Sequence, residues 1–178
     1  MQLPDAEQLC TSLVSQLRAQ VTPDTAIVGI VTGGAWLAER LHRELGLKTP
    51  MGTLDVSFYR DDLGKSGLKK QVLPSQVPFE VEGRPLLLVD DVLYTGRTIR
   101  AAMNELFDYG RPARIDLAVL VDRGGRELPI AAQFCGARLD VPAGKVLVLE
   151  RDEAAGGKLV LQLSAQRRKP SSAKGSGK

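Results

Sequence analysis

Asp90 and Asp91 are adjacent carboxylates, and Thr95-Gly96-Arg97-Thr98 follows them as a turn of small and hydroxyl-bearing residues. Paired acids can accept hydrogen bonds from a ribose diol or hold a divalent cation against it. Gly96 lets the backbone come close to a phosphate, and Thr95 and Thr98 supply hydroxyl donors. A helix opening here aims its free N–H groups and its positive end at the same anion. A sugar carrying a 5′-phosphate is the ligand that uses all of these together. Thr32-Gly33-Gly34 is a second candidate anion loop, because backbone amides between a strand and a helix can cradle a pyrophosphate. Glycine after a strand is usually only a turn, so this loop gains weight from the first.

The elements that must position these groups read as an α/β pattern. Residues 5–20 place Leu9, Leu13 and Leu17 at helical spacing. Ala26 to Val31 has the length and β-branching of a buried strand. Residues 35–45 form a helix with Leu37, Leu41 and Leu45 on one face and Gly46 as its stop. A second strand is expected over Leu54 to Tyr59, and a long mobile loop over 61–76. The apolar run 86–89 is the strand that delivers Asp90 and Asp91 at its exit, and a helix over 98–109 stops at Gly110. Ile115 to Val121 is another strand, and shorter ones are expected at 132–135, 145–150 and 158–163. The fold expected is a doubly wound, mainly parallel sheet with a small appended lobe. Its ligands gather beyond the carboxyl ends of the strands, where residues 32–35, 90–98 and 122–126 lie.

The segment Val89-Asp90-Asp91-Val92-Leu93-Tyr94-Thr95-Gly96-Arg97-Thr98 resembles the phosphoribosyl-pyrophosphate (PRPP) motif of the type I phosphoribosyltransferases. With Tyr59-Arg60-Asp61-Asp62-Leu63, Ala118 to Gly124 and Arg126-Glu127-Leu128-Pro129-Ile130, it is similar to one branch of that family. Members of that branch are pyrimidine-operon attenuation regulators with uracil phosphoribosyltransferase activity. The resemblance spans roughly residues 5 to 163. It implies one type I phosphoribosyltransferase domain over 1–163, with a hood lobe at about 122–163, followed by a basic tail.

The resemblance also implies site roles. Asp90 and Asp91 bind the ribose hydroxyls, directly or through Mg²⁺ carried with PRPP, and residues 92–98 hold the ribose 5′-phosphate. Thr32, Gly33, Gly34 and Arg123 bind pyrophosphate. Asp122, Arg123 and Gly124 open the hood that reads the base. Arg60 is the catalytic candidate of a lid, with Lys65, Lys69 and Lys70 as further charges; such a lid excludes water from the reacting centre. Branch members generally carry arginine where Gly33 stands, which implies a weaker hold on pyrophosphate here. His42, the single histidine, sits among polar neighbours and reads as a solvated side chain.

The function implied is synthesis of UMP and pyrophosphate from uracil and PRPP, with UMP or UTP as effectors and attenuator mRNA as a second partner. Thr32 and Arg126 are the RNA candidates that persist. Gly125 stands where RNA-binding members usually have histidine, and Ala131 and Ala137 stand near positions that tend to be basic. RNA binding is therefore expected to be weakened. Alternatives are a non-catalytic, nucleotide-sensing RNA regulator and, from Gly33-Gly34, a purine phosphoribosyltransferase. A homodimer or higher homo-oligomer is implied as well.

Composition agrees with one sizeable core in 178 residues. The net charge of +3 belongs to the tail: residues 164–178 hold five Lys and Arg and no acid, so +3 less 5 leaves −2 for the rest. The basic balance is thus no sign of a broad nucleic-acid face, and the tail's Ser, Gly, Lys and Pro predict disorder. No run approaches membrane-spanning length, and the N-terminus lacks the regions of a signal peptide. Cys10 and Cys135 have no metal or redox spacing and read as buried thiols. A cytoplasmic protein with no membrane partner is expected.

Overall fold

The computed structural model describes residues 1–56 and 74–165. The expected lid at 59–70, with Arg60, Lys65, Lys69 and Lys70, lies outside those residues, as do most of the loop expected over 61–76, the end of the second expected strand and the tail beyond Ala165.

Five strands form one parallel sheet in the order β2-β1-β3-β4-β5: β1 (Ala26–Ile30), β2 (Gly52–Leu54), β3 (Pro85–Leu93), β4 (Arg114–Asp122) and β5 (Phe134–Arg138). Alternating side chains build a core on each face. Leu87 and Val89 of β3 pack with α1 (Ala6–Leu17) and α2 (Gly33–Leu45), while Leu86 and Leu88 pack with Ile99, Ala102 and Leu106 of α3 (Arg97–Asp108). Because both faces are covered, β1 is buried along its whole length.

The helices begin and end for local reasons. Asp5 caps α1, its carboxylate accepting from the Glu7 amide at 2.8 Å. Gly46 closes α2 with φ +65°, its amide donating to Arg43 O, while Leu47 N donates to His42 O. Gly29 allows β1 to touch α2, since a Cβ there would come 2.6 Å from Ala35 Cα.

Several boundaries differ from the sequence reading: the strand expected over Leu54 to Tyr59 is Gly52–Leu54, with residues 55 and 56 outside it, and the one expected at 132–135 is Phe134–Arg138. β3 continues through both acids to Leu93 instead of ending at Val89, because Asp90 and Val92 stay paired with β4. The helix expected from residue 35 starts at Gly33, and the last strand reaches Ala165. The appended lobe is also smaller than residues 122–163. β5 belongs to the main sheet, where Ala118 pairs with Phe134 and Val121 with Ala137. What stands apart is the antiparallel hairpin of β6 (Lys145–Asp152) and β7 (Lys158–Ala165). Its Leu147, Leu149, Leu159 and Leu161 join the α1–α2 core. Glu7 pins it by accepting from Leu159 N at 2.8 Å, and Arg151 pairs with Glu39 at 2.8 Å.

Candidate active site

β1 and β3 are neighbours, yet the helices that follow them, α2 and α3, cover opposite faces of the sheet. Chain directions therefore diverge at the carboxyl ends of these two strands and leave a crevice. There Gly33 and Gly34 lie against Asp91 and Asp90.

On the β1 side, the Val31–Thr32 peptide is cis. Thr32 occupies the N-cap position of α2, but its side chain makes no capping bond. Gly33 and Gly34 are buried against the acids. A Cβ on Gly33 would lie 2.3 Å from Asp91 Oδ2, and one on Gly34 would lie 2.6 Å from Val89 O. Glycine at both positions is what lets the start of α2 rest on the end of β3.

On the β3 side, Asp90 and Asp91 are 3% and 7% exposed. Buried carboxylates need hydrogen-bonding partners, and Asp91 N donates to Asp90 Oδ1 at 3.0 Å. The backbone then turns through Gly96, at φ +94°, into α3. Thr95, 4% exposed, accepts from Arg97 N through Oγ1 at 3.2 Å. A small cleft there is lined by Asp90, Leu93, Thr95, Gly96, Thr98 and Ile99 among others. A larger cleft, lined by Trp36, Arg40, Arg43 and Arg151 among others, contains none of the predicted site residues.

On the β4 side, Arg123 lies over the Tyr94 ring with its guanidinium carbon 4.2 Å from the centroid. Its Nη2 donates to Lys145 O at 3.3 Å, and its buried Nε has no partner among the described residues. Asp122 Oδ1 accepts from Gly124 N at 3.0 Å and from Arg126 Nη2 at 2.6 Å. Burial alone would raise the Asp122 carboxyl, but these hydrogen bonds and the Arg126 charge outweigh it and hold it below the usual value.

The structure thus brings Thr32, Gly33, Gly34, Asp91 and Asp90 to one crevice, and joins Tyr94 to Arg123 and Arg126. Arg126, an RNA candidate in the sequence, turns inward: besides Asp122 it donates to Tyr94 O. His42 is half-buried rather than solvated, with Nε2 2.8 Å from Thr49 O. Sequence reasoning missed four partners of the turn at 94–98. Glu127 pairs with Arg97 at 2.7 Å, Leu128 and Ile130 stand behind Gly96, and Gly125 lies under the Tyr94 ring. The nearest sequence signal was the Arg126-to-Ile130 block, which resembled the family without revealing what it touches. Among the described residues no group of three or more His, Cys, Asp and Glu could hold a metal. Asp90 and Asp91 offer hard carboxylate oxygens, a donor set suited to a magnesium ion that keeps substrate oxygens and waters.

Residues 2–140 match the family model for the phosphoribosyl transferase domain. A relative from Ralstonia nicotianae named bifunctional protein PyrR is 57% identical over 152 residues, 83% of this chain and 87% of the relative. A relative of the same name from Pseudomonas entomophila is 49% identical over 167 residues, 87% and 97% of the two chains. Among solved structures, a hypoxanthine phosphoribosyltransferase from Staphylococcus aureus superposes with TM-score 0.63 at 22% identity, covering 80% of this chain and 76% of its own. A purine phosphoribosyltransferase from Pyrococcus horikoshii gives TM-score 0.58 at 21% identity, covering 75% and 82%. At these identities the two structures bear on the fold alone. Among the described residues no helix is long and apolar enough to cross a membrane.

Proposed function

Since the chain belongs to the phosphoribosyl transferase domain family, and within it to the PyrR branch, we propose that it is a uracil phosphoribosyltransferase with a second, regulatory role. It joins uracil to PRPP, giving UMP and pyrophosphate. The observation that carries this reading is the packing of Gly33 and Gly34 on the buried Asp91 and Asp90, with Asp90 also lining the cleft formed by Thr95, Gly96 and Thr98.

Each group has a defined task. Amides and hydroxyls at Thr95, Gly96 and Thr98, with the positive end of α3, hold the 5′-phosphate. Asp90 and Asp91 orient the ribose diol, and the turn at 32–34 receives the pyrophosphate. Asp90 and Asp91 would hold Mg²⁺ carried with PRPP, which would offset negative charge on the departing pyrophosphate. Uracil N1 then bonds to C1′ as the bond from C1′ to pyrophosphate oxygen breaks, with loss of the N1 proton. Alignment and electrostatic stabilisation supply most of the acceleration. Asp122, Arg123 and Gly124 border the base side, and Arg60 belongs to the lid.

The regulatory role is nucleotide-dependent RNA binding that controls pyrimidine genes, weaker than in members with a basic RNA face. Neutral Gly125, Ala131 and Ala137, and the inward-turned Arg126, support that ranking, because phosphate contacts dominate RNA affinity. A cytoplasmic homo-oligomer is part of the same proposal. The test is chromatographic detection of UMP from uracil, PRPP and Mg²⁺, with Asp91→Asn as the control. UMP from the native chain, sharply reduced in the variant, supports the assignment; its absence from the native chain defeats it.

A further inference from the structure

The stretch after β4 touches the phosphate turn at every residue from Leu93 to Thr95. Arg123 N donates to Leu93 O at 3.0 Å, and Glu127 N and Leu128 N donate to Thr95 O at 3.0 and 3.1 Å. Between them, Arg126 Nη1 donates to Tyr94 O. The consecutive carbonyls of Leu93, Tyr94 and Thr95 are therefore all occupied from one side. Gly124 and Gly125, at φ +70° and +66°, make the turn that brings residues 126–128 back to them. A side chain at 125 would have to move the exposed Tyr94 ring, since a Cβ there would come 2.4 Å from Tyr94 Cε2.

Arg126 differs from the other ties because it is a side chain and is anchored at its other end. Asp122 Oδ1 takes its Nη2 at 2.6 Å, and the arginine side chain is only 23% exposed. A planar guanidinium with two fixed donor directions can join a carboxylate at the end of β4 to a carbonyl of the turn after β3; an ammonium reaches both poorly.

We propose that Arg126 is a positioning residue for 5′-phosphate binding. By holding the Tyr94 carbonyl on the β4 side, it fixes the peptide planes of the turn. The amides of Gly96 and the first turn of α3 are thereby presented to the phosphate before it arrives. A turn fixed in advance binds its anion without losing backbone freedom on binding. This inference rests on the assignment of residues 94–98 to the 5′-phosphate.

The experiment is equilibrium titration of the full-length chain with PRPP, UMP and inorganic pyrophosphate, for the native protein, Arg126→Gln, Arg126→Lys and Asp122→Asn. Pyrophosphate alone needs the turn at 32–34 and not the one at 94–98. Arg126→Gln weakens PRPP and UMP about tenfold, the effect of losing a charge-assisted hydrogen bond, and changes pyrophosphate affinity less than about twofold. Arg126→Lys falls between native and Arg126→Gln. Asp122→Asn keeps an oxygen acceptor and remains a well-folded check, with a smaller loss confined to the same two ligands. A merely structural role predicts equal losses for all three ligands, or a reduced active fraction with unchanged affinities, and either outcome overturns the proposal. Native-like PRPP and UMP affinity in Arg126→Gln overturns it alone. Failure of the native chain to bind PRPP or UMP overturns the phosphate-site assignment and this inference with it.

Discussion

The absent side chain of Gly33 and the carboxylate of Asp91 share one space: a Cβ at residue 33 would stand 2.3 Å from Asp91 Oδ2 and 2.6 Å from its Cγ. The turn at 32–34 and the paired acids are thus one packed unit. Whatever enlarges residue 33 moves a carboxylate that is 7% exposed.

Gly33→Arg is expected to weaken PRPP, the reverse of what the resemblance implies, because residue 33 packs directly on Asp91. The new guanidinium meets the pyrophosphate, but its Cβ displaces Asp91 from the diol. Gly33→Ala isolates the steric part and should raise the KM for PRPP roughly tenfold, the cost of one disturbed charged hydrogen bond. Steady-state kinetics with varied PRPP decide it, and a lowered KM in Gly33→Arg contradicts the packing argument.

Asp91→Asn and Asp90→Asn each replace a carboxyl oxygen proposed to accept from the ribose with an amide group. A hydrogen bond to a charged group contributes about 1.5–3 kcal/mol, so kcat/KM for PRPP should fall roughly 10- to 100-fold. The KM for uracil should change little. Chelation of Mg²⁺ should abolish turnover in the native chain, and its return should restore it.

Burial, with the neighbouring Glu7 carboxylate second, pushes the Cys10 thiol up to about 12. The thiolate is the reactive form, so Cys10 should resist alkylation at pH 8 until the chain unfolds, as mass spectrometry of labelled peptides would report. The sign for stability follows from the same shift. Below the ordinary value of 9.0 the thiol is neutral in both states and its contribution is complete; as pH rises from 9.0 towards 12 the unfolded chain ionises first and stability falls. Cys10→Ala should remove that part of the alkaline loss.

Asp122 works in the opposite direction. Its carboxyl is held below its ordinary 3.8, so its contribution is present above that value and is lost as pH falls through the lower, folded one. Denaturant titrations of Asp122→Asn should show a shallower acid loss than the native chain. An identical acid limb would place the Arg126 contact outside the energetics of folding.

Much of this arrangement was legible because local pattern and chemistry coincide. The Leu86–Val89 run, the paired acids and the Thr95–Thr98 turn state a strand, two carboxyls near its end and a glycine turn into a helix within a few residues. β3 was read too short because Asp90 and Asp91 break the apolar signal of a buried strand; sites are where local rules are broken. The start of α2 was placed late because glycine is a poor helix former, and only the close approach to Asp90 and Asp91 explains Gly33 and Gly34 inside a helix. β5, five residues long and partly exposed, joins the sheet through its pairing with β4, which periodicity cannot show. The Arg126 tie was hidden for a similar reason, since Tyr94 lies 32 residues away in the chain.

The central claim is tested most directly by incubating the native chain with PRPP and Mg²⁺ and, in parallel, uracil, hypoxanthine and guanine, then quantifying each nucleoside monophosphate. The account predicts UMP from uracil and no product from either purine base. Turnover with a purine, or no product from any base, would contradict it.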